Sequence, residues 1–133
     1  METLDTLVTE LMPRMKKLGY RKNRTNWYKE KDELSVVFAI QKSQYDADSW
    51  WYEYGICVHD IALRKPITIS ACQIAYRVEN KLTAEGIINL LESWESRYGQ
   101  LRQLQICAIQ GKLPGIVKQS AIRYLTSADV SRI

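Results

Sequence analysis

Apolar residues recur along the N-terminal segment at steps of three and four: Leu4, Leu7, Val8, Leu11, Met12, Met15 and Leu18. That spacing places them on one stripe and predicts a helix over 3–18. Thr3 stands where a cap belongs, and Gly19 is a natural stop. Lys16 and Lys17 fall in the last turn, where the helix dipole favours cations. Pro13 sits mid-pattern and is expected to kink the helix or to cost about 3 kcal/mol.

The period then drops to two. Residues 25–31 and 34–42 read as a β-hairpin with Asp32 and Glu33 near its turn. In the second strand Val36, Phe38 and Ile40 share one face, with Ser35, Val37, Ala39 and Gln41 on the other. The polar loop SQYDADS follows at 43–49. A strand over 50–61 puts Tyr52, Tyr54, Ile56 and Val58 on one face and Trp51, Glu53, Cys57 and His59 on the other. LRKP at 63–66 breaks the chain, and the β-branched run over 67–78 reads as a fourth strand. From Leu82 the period returns to three and four through Ile87, Leu91, Trp94, Tyr98, Leu101 and Leu104. One long helix is expected there, capped by Thr83 and ended by Gly111 and Pro114. Pro114 would open a last helix with Ile116, Val117, Ala121, Ile122 and Leu125 inward. The expected fold is a single α+β domain over 1–133: an N-terminal helix, a four-stranded antiparallel meander, and two C-terminal helices packed on the sheet.

Composition narrows the function. The chain has 133 residues, 46% of them hydrophobic and 26% charged, which suits one globular domain. No apolar run approaches the roughly 20 residues needed to cross a bilayer, and METLDTLVTELMPRMKK is not a signal peptide, so no membrane partner is expected. Cys57, Cys72 and Cys107 are odd in number and set among apolar neighbours. They read as buried thiols in a reducing cytoplasm.

Catalytic signatures are sparse. His59 is the single histidine, and no metal-ligand spacing or Gly-rich phosphate loop occurs. His59 is the one conventional base for a serine or cysteine nucleophile, but it reads first as a partly buried strand residue. The pairs Asp46/Asp48 and Glu92/Glu95 read as solvated surface, the second on the outer side of its helix. The chain is therefore read as non-enzymatic, with no cofactor and no metal.

Charge is uneven along the chain. Residues 1–43 carry nine Lys/Arg against six Asp/Glu, residues 44–95 four against eight, and residues 96–133 six against one. Two candidate binding surfaces follow. In the first, Trp50 and Trp51 point to opposite faces of their strand, one to the core and the other to solvent or to cover by the C-terminal helices. An outward Trp beside Tyr45 makes a protein-binding anchor, ringed by Asp46, Asp48 and Glu53. In the second, no acid occurs between Glu10 and Glu30, where Arg21, Lys22 and Arg24 interleave with Trp27 and Tyr28. Cations that contact phosphates and aromatics that stack on bases would suit single-stranded nucleic acid. The same residues also suit a helix end and a hairpin edge, where lysines discourage edge-to-edge pairing.

The stretch LGYRKNRTNWYKEKDELSVVFAIQKS resembles the front half of a family of short bacterial proteins described only as a domain of unknown function. The matching features are Leu18-Gly19-Tyr20-Arg21-Lys22, the aromatic strand with Trp27-Tyr28, the acidic turn Asp32-Glu33, and Val36 through Gln41-Lys42-Ser43. YEYGICVHD fits the family's next strand, so the resemblance covers residues 5–60. It implies no catalytic residues and no cofactor. Small bacterial proteins of this kind are often immunity proteins, which bind and neutralise a partner toxin. The resemblance thus implies a protein-binding role with a toxin-like partner; nucleic-acid binding through the basic aromatic segment 14–29 stands as the alternative, and an enzyme of unrecognised type as a distant third.

Overall fold

The computed structural model describes residues 3–46, 48–62 and 67–127. Among them, six strands form one antiparallel sheet in chain order: β1 (Arg21–Asn23), β2 (Asn26–Glu30), β3 (Leu34–Lys42), β4 (Trp50–Val58), β5 (Ile74–Val78) and β6 (Ile116–Val117). Four helices accompany it: α1 (Leu4–Lys17), α2 (Ala84–Tyr98), α3 (Leu101–Ile109) and α4 (Gln119–Leu125). The α+β class and the antiparallel meander agree with the sequence. The strand number does not, because β1 and β6 extend the expected four to six. Both are too short to carry a periodic signal.

Helix α1 begins where Thr3 Oγ1 accepts the N–H of Thr6, and it runs through Pro13 on its exposed side. Leu7, Leu11 and Met15 are its buried stripe. Thr83 caps α2 in the same way, accepting from the Gly86 N–H at 3.1 Å. The helices cover the sheet face that carries Trp27, Phe38, Tyr52, Tyr54, Ile56 and Ile74. Aromatic rings run through this core in sequence: Trp27 to Phe38 at 5.7 Å, Phe38 to Tyr54 at 5.2 Å, and Tyr54 to Trp94 at 5.5 Å.

The opposite sheet face has a smaller core of Val37, Cys57, Ile67 and Cys72. Its cover is the segment expected to be a strand over 67–78. Only Ile74–Val78 pairs in the sheet; Ile69–Ala71 makes a single 3₁₀ turn. The reason is local. Gly55 in β4 leaves space that a Cβ would fill, since it would stand 2.7 Å from Ile69 Cδ1 and 2.7 Å from Cys72 Sγ. Side chains supply the hydrogen bonds that a ladder would otherwise give. Asn26 Oδ1 accepts the Ile69 N–H at 3.0 Å, and buried Gln73 accepts from Val58 N at 2.6 Å while donating to the Ala62 carbonyl at 3.3 Å. The break expected at 63–66 lies outside the described residues.

The single long helix expected after Thr83 is two. Gly99 closes α2 and Gln100 is extended, and the Gln103 side chain accepts the Gln100 N–H at 3.1 Å where α3 starts. Lys31 Nζ holds the Gly99 carbonyl at 2.9 Å. The last helix also starts later than Pro114. Ile116–Val117 joins the sheet edge, and Gly115 comes so near the Ala75 carbonyl that a Cβ would clash with it. Ile116 is thereby exposed rather than inward, and Ile122 is exposed as well, while Ala121 and Leu125 are buried as expected.

Candidate interaction surfaces

The loop between β3 and β4 is tied by its own polar side chains. Ser43 Oγ accepts the N–H groups of Tyr45 and Asp46, each at 3.2 Å. The Asp46 carboxylate accepts from Asp48 N at 2.9 Å and from Ser49 Oγ at 3.0 Å. The backbone bond from Asp48 and then the Ser49 hydroxyl hold the Asp46 carboxyl below its ordinary range. Asp46 is thus engaged in shaping the loop. Tyr45, at its tip, is 96% exposed.

The two tryptophans divide as their alternation demands. Trp50 is buried on the helix-covered face, where its indole N–H donates to the Tyr52 hydroxyl at 3.0 Å. Lys81 closes over it with Nζ 4.1 Å from the ring centroid, and the same ammonium donates to the Asp48 carbonyl. Trp51 lies on the opposite face and is half-buried. Its N–H donates to Glu53 Oε1 at 3.2 Å, and the Arg77 guanidinium stacks 4.3 Å from its ring centroid. Arg77 pairs opposite Glu53 in the β4–β5 register and also bridges Glu79 at 3.0 Å. Tyr45, Asp48, Trp51 and Glu53 are therefore at least partly open, Trp50 is not, and Arg77 joins the group. Sequence reading missed Arg77; the register of β5 against Glu53 carries that signal, but the register depends on where β5 begins.

The basic aromatic segment forms the β1–β2 hairpin. Arg24 occupies its turn with φ of 56°. Lys22 Nζ donates to the Arg24 carbonyl at 2.6 Å and stands 5.5 Å from the Trp27 ring centroid. Arg21, Lys22 and Arg24 are exposed. Trp27 is only 2% exposed, and Tyr28 packs against the smaller core. The cations of this segment face solvent while its aromatic rings are spent on packing.

Two other sequence candidates acquire partners. His59 sits just past β4, with Nε2 2.7 Å from Ser35 Oγ and Nδ1 3.2 Å from the Asp32 carbonyl. Donation from Nδ1 to that carbonyl leaves Nε2 to accept the serine proton, an arrangement met in hydrolytic dyads. Ser35 is fully buried, however, so the pair pins the end of β4 to β3 out of reach of a substrate. Glu95 is not on the outer side of α2. It accepts from the Tyr20 hydroxyl at 2.8 Å and pairs with Lys29 at 3.3 Å and Lys31 at 3.6 Å. Cys57 and Cys72 are buried as expected, but Cys107 is half-buried. Among the described residues no three His, Cys, Asp or Glu side chains gather where they would hold a metal ion, and no helix is long and apolar enough to cross a membrane.

Fold and surfaces together define an α+β domain with one meandering sheet, helices on one face and a smaller apolar core under a 3₁₀ turn on the other. The chain belongs to the family described as domain of unknown function DUF4304, whose model matches residues 11–110. The match reaches well beyond the 5–60 stretch over which the resemblance was legible, taking in β5, α2 and α3. No curated protein and no solved structure matches the chain.

Proposed function

We propose that this protein is a non-catalytic, cytoplasmic protein-binding domain of the immunity type, which captures and neutralises a toxin-like partner. The observation that carries the reading is Tyr45. A large aromatic ring stands almost fully in solvent, on a loop whose backbone is fixed by the Ser43 and Asp46 hydrogen bonds. With the backbone beneath the ring already tied, a partner that covers it has less loop ordering to impose, which lowers the entropic cost of binding. Tyrosine and tryptophan dominate binding hot spots, and Trp51 offers a second ring beside charged Glu53 and Arg77. Asp48 and Glu53 fit a partner with a basic surface, consistent with the acidic balance of residues 44–95.

The test pairs capture with growth. The tagged protein should retain one stoichiometric partner from its native bacterium after nuclease treatment, and Tyr45→Ala/Trp51→Ala should release it. The partner expressed alone should arrest growth, and co-expression of the wild-type domain should restore it. A partner retained equally by the double variant, or one harmless on its own, would overturn the reading.

A further inference from the structure

A second surface lies between α1 and the β1–β2 hairpin. Two cavities of about 350 and 340 Å³ meet there, sharing Lys22 and Trp27 in their walls. Their open apolar lining is Leu4, Val8 and Met12 from successive turns of α1, with Tyr20, Trp27 and Ile40 almost wholly buried behind them. Met12 is 50% exposed, a large apolar side chain left open to solvent on an otherwise amphipathic helix. The lined stretch of α1 runs from Leu4 to Lys16, which corresponds to about 18 Å of helix at 1.5 Å per residue.

The charges around this groove are mostly positive. Lys16, Arg21, Lys22, Arg24 and Lys42 line it, and Asp5 is the one acid among its walls. The cations are distributed along the groove rather than gathered at one end. A single-headed anion such as a fatty acid would meet only one or two of them. An occupant that uses them all is elongated, carries several negative charges along its length, and presents aliphatic side chains to the floor.

We infer that this groove docks an acidic amphipathic segment of another protein, with its apolar stripe laid against Leu4, Val8 and Met12 and its carboxylates meeting the cationic rim. The site is separate from the Tyr45 surface and does not depend on it. Single-stranded nucleic acid shares the charge requirement but not the rest. Base stacking needs open aromatic faces, whereas the Trp27 ring is 2% exposed and lies against Phe38. The open apolar surface is that of Leu4, Val8 and Met12, which carry no ring.

The probe is a designed peptide of about 12 residues, long enough to span the groove as a helix, with leucines at helical spacing and glutamates elsewhere. It is labelled and titrated with the full chain at low salt, beside a scrambled peptide of equal composition and an oligothymidylate of similar length. Saturable binding of the patterned peptide is expected, with the scrambled one roughly tenfold weaker, a difference that separates shape from charge alone. Met12→Glu and the pair Lys22→Glu/Arg24→Glu should each weaken the patterned peptide by about tenfold or more, and amide shifts should fall on α1 and the β1–β2 hairpin. Met12 is half in solvent, so Met12→Glu should leave the near-ultraviolet circular dichroism unchanged, which separates lost binding from lost folding. Equal binding of both peptides would reduce the groove to a charged patch. Tighter binding of the oligothymidylate would hand it to nucleic acid. Absence of saturable peptide binding, or amide shifts elsewhere, would likewise overturn the inference.

Discussion

The Tyr20 hydroxyl donates to the Glu95 carboxylate at 2.8 Å, joining residues 75 positions apart. The bond ties the corner between α1 and β1 to the last turn of α2, and Lys29 and Lys31 bring the first hairpin to the same carboxylate. Removing Glu95 leaves a buried phenol without its acceptor and two ammonium groups without their counter-ion. Glu95→Ala should therefore cost about 2 kcal/mol, within the range for a charge-assisted bond whose partner is stranded. Tyr20→Phe in the Glu95→Ala background should add little, because the stranded hydroxyl goes with it. Urea denaturation of the two single variants and the double reads the coupling directly. Strict additivity would mean that the two side chains do not act as a pair.

Gly55 gives a stability effect of unusual sign. Replacing a strand glycine by alanine ordinarily gains about 0.5–1 kcal/mol, because less backbone freedom is lost on folding. Here the new Cβ would meet Ile69 Cδ1 at 2.7 Å and Cys72 Sγ at 2.7 Å. The 3₁₀ turn over β4 must move to accommodate it. Gly55→Ala should destabilise by about 1–3 kcal/mol, the usual cost of overpacking. The midpoint of thermal or urea unfolding decides the sign, and a gain in stability would mean that the turn does not rest on β4.

The parts of the fold that were legible share a property: their signal is local and repeated. The stripe from Leu4 to Leu18, the alternation around Phe38, and Thr83 before its helix each declare themselves within a few residues. What was hidden depends on contacts between distant segments. Leu101 and Leu104 continue the spacing of Leu91 and Trp94, so periodicity passes over the break at Gly99. Isoleucines 67 and 69 look like strand residues, yet Gly55, Asn26 and Gln73 together make a turn the better packing. Candidate surfaces behaved likewise. Alternation divided Trp50 from Trp51, but the Arg77 stack, the Ser35 partner of His59 and the Glu95 network all required the sheet register or the helix docking.

Alkaline pH should unfold the protein through its buried phenols and thiol. Burial raises Tyr20, Tyr54 and Cys72 well above their ordinary values, with the Glu95 carboxylate adding to the effect on Tyr20. These groups keep their protons when folded and lose them at ordinary pH when unfolded. The unfolded chain therefore binds fewer protons once pH passes the usual cysteine and tyrosine values of about 8.5 and 10. Stability contributed by these groups is complete below that point and falls as pH rises toward the folded-state values, at up to about 1.4 kcal/mol per pH unit for each group. Denaturant midpoints taken from neutral to about pH 11 should fall steeply above pH 9. A flat profile would show that the unfolded chain protects these groups as well.

Tyr52 and Tyr54 point to the same face of β4, yet loss of their hydroxyls should act in opposite directions. The Tyr52 oxygen accepts from the Trp50 indole at 3.0 Å and from Leu82 N at 3.2 Å. Tyr52→Phe strands both donors and should cost about 2 kcal/mol. The Tyr54 hydroxyl is fully buried beside Trp94 and has no hydrogen-bond partner among the described residues. An unsatisfied buried polar group carries a desolvation penalty of about 1–3 kcal/mol, and Tyr54→Phe removes it while keeping the ring contacts with Phe38 and Trp94. That variant should be neutral or more stable than the wild type. The pair is compared by urea unfolding of the two variants side by side. A loss of more than about 1 kcal/mol in Tyr54→Phe would show that its hydroxyl is engaged after all, and that the aromatic core is held by polar bonds as well as by packing.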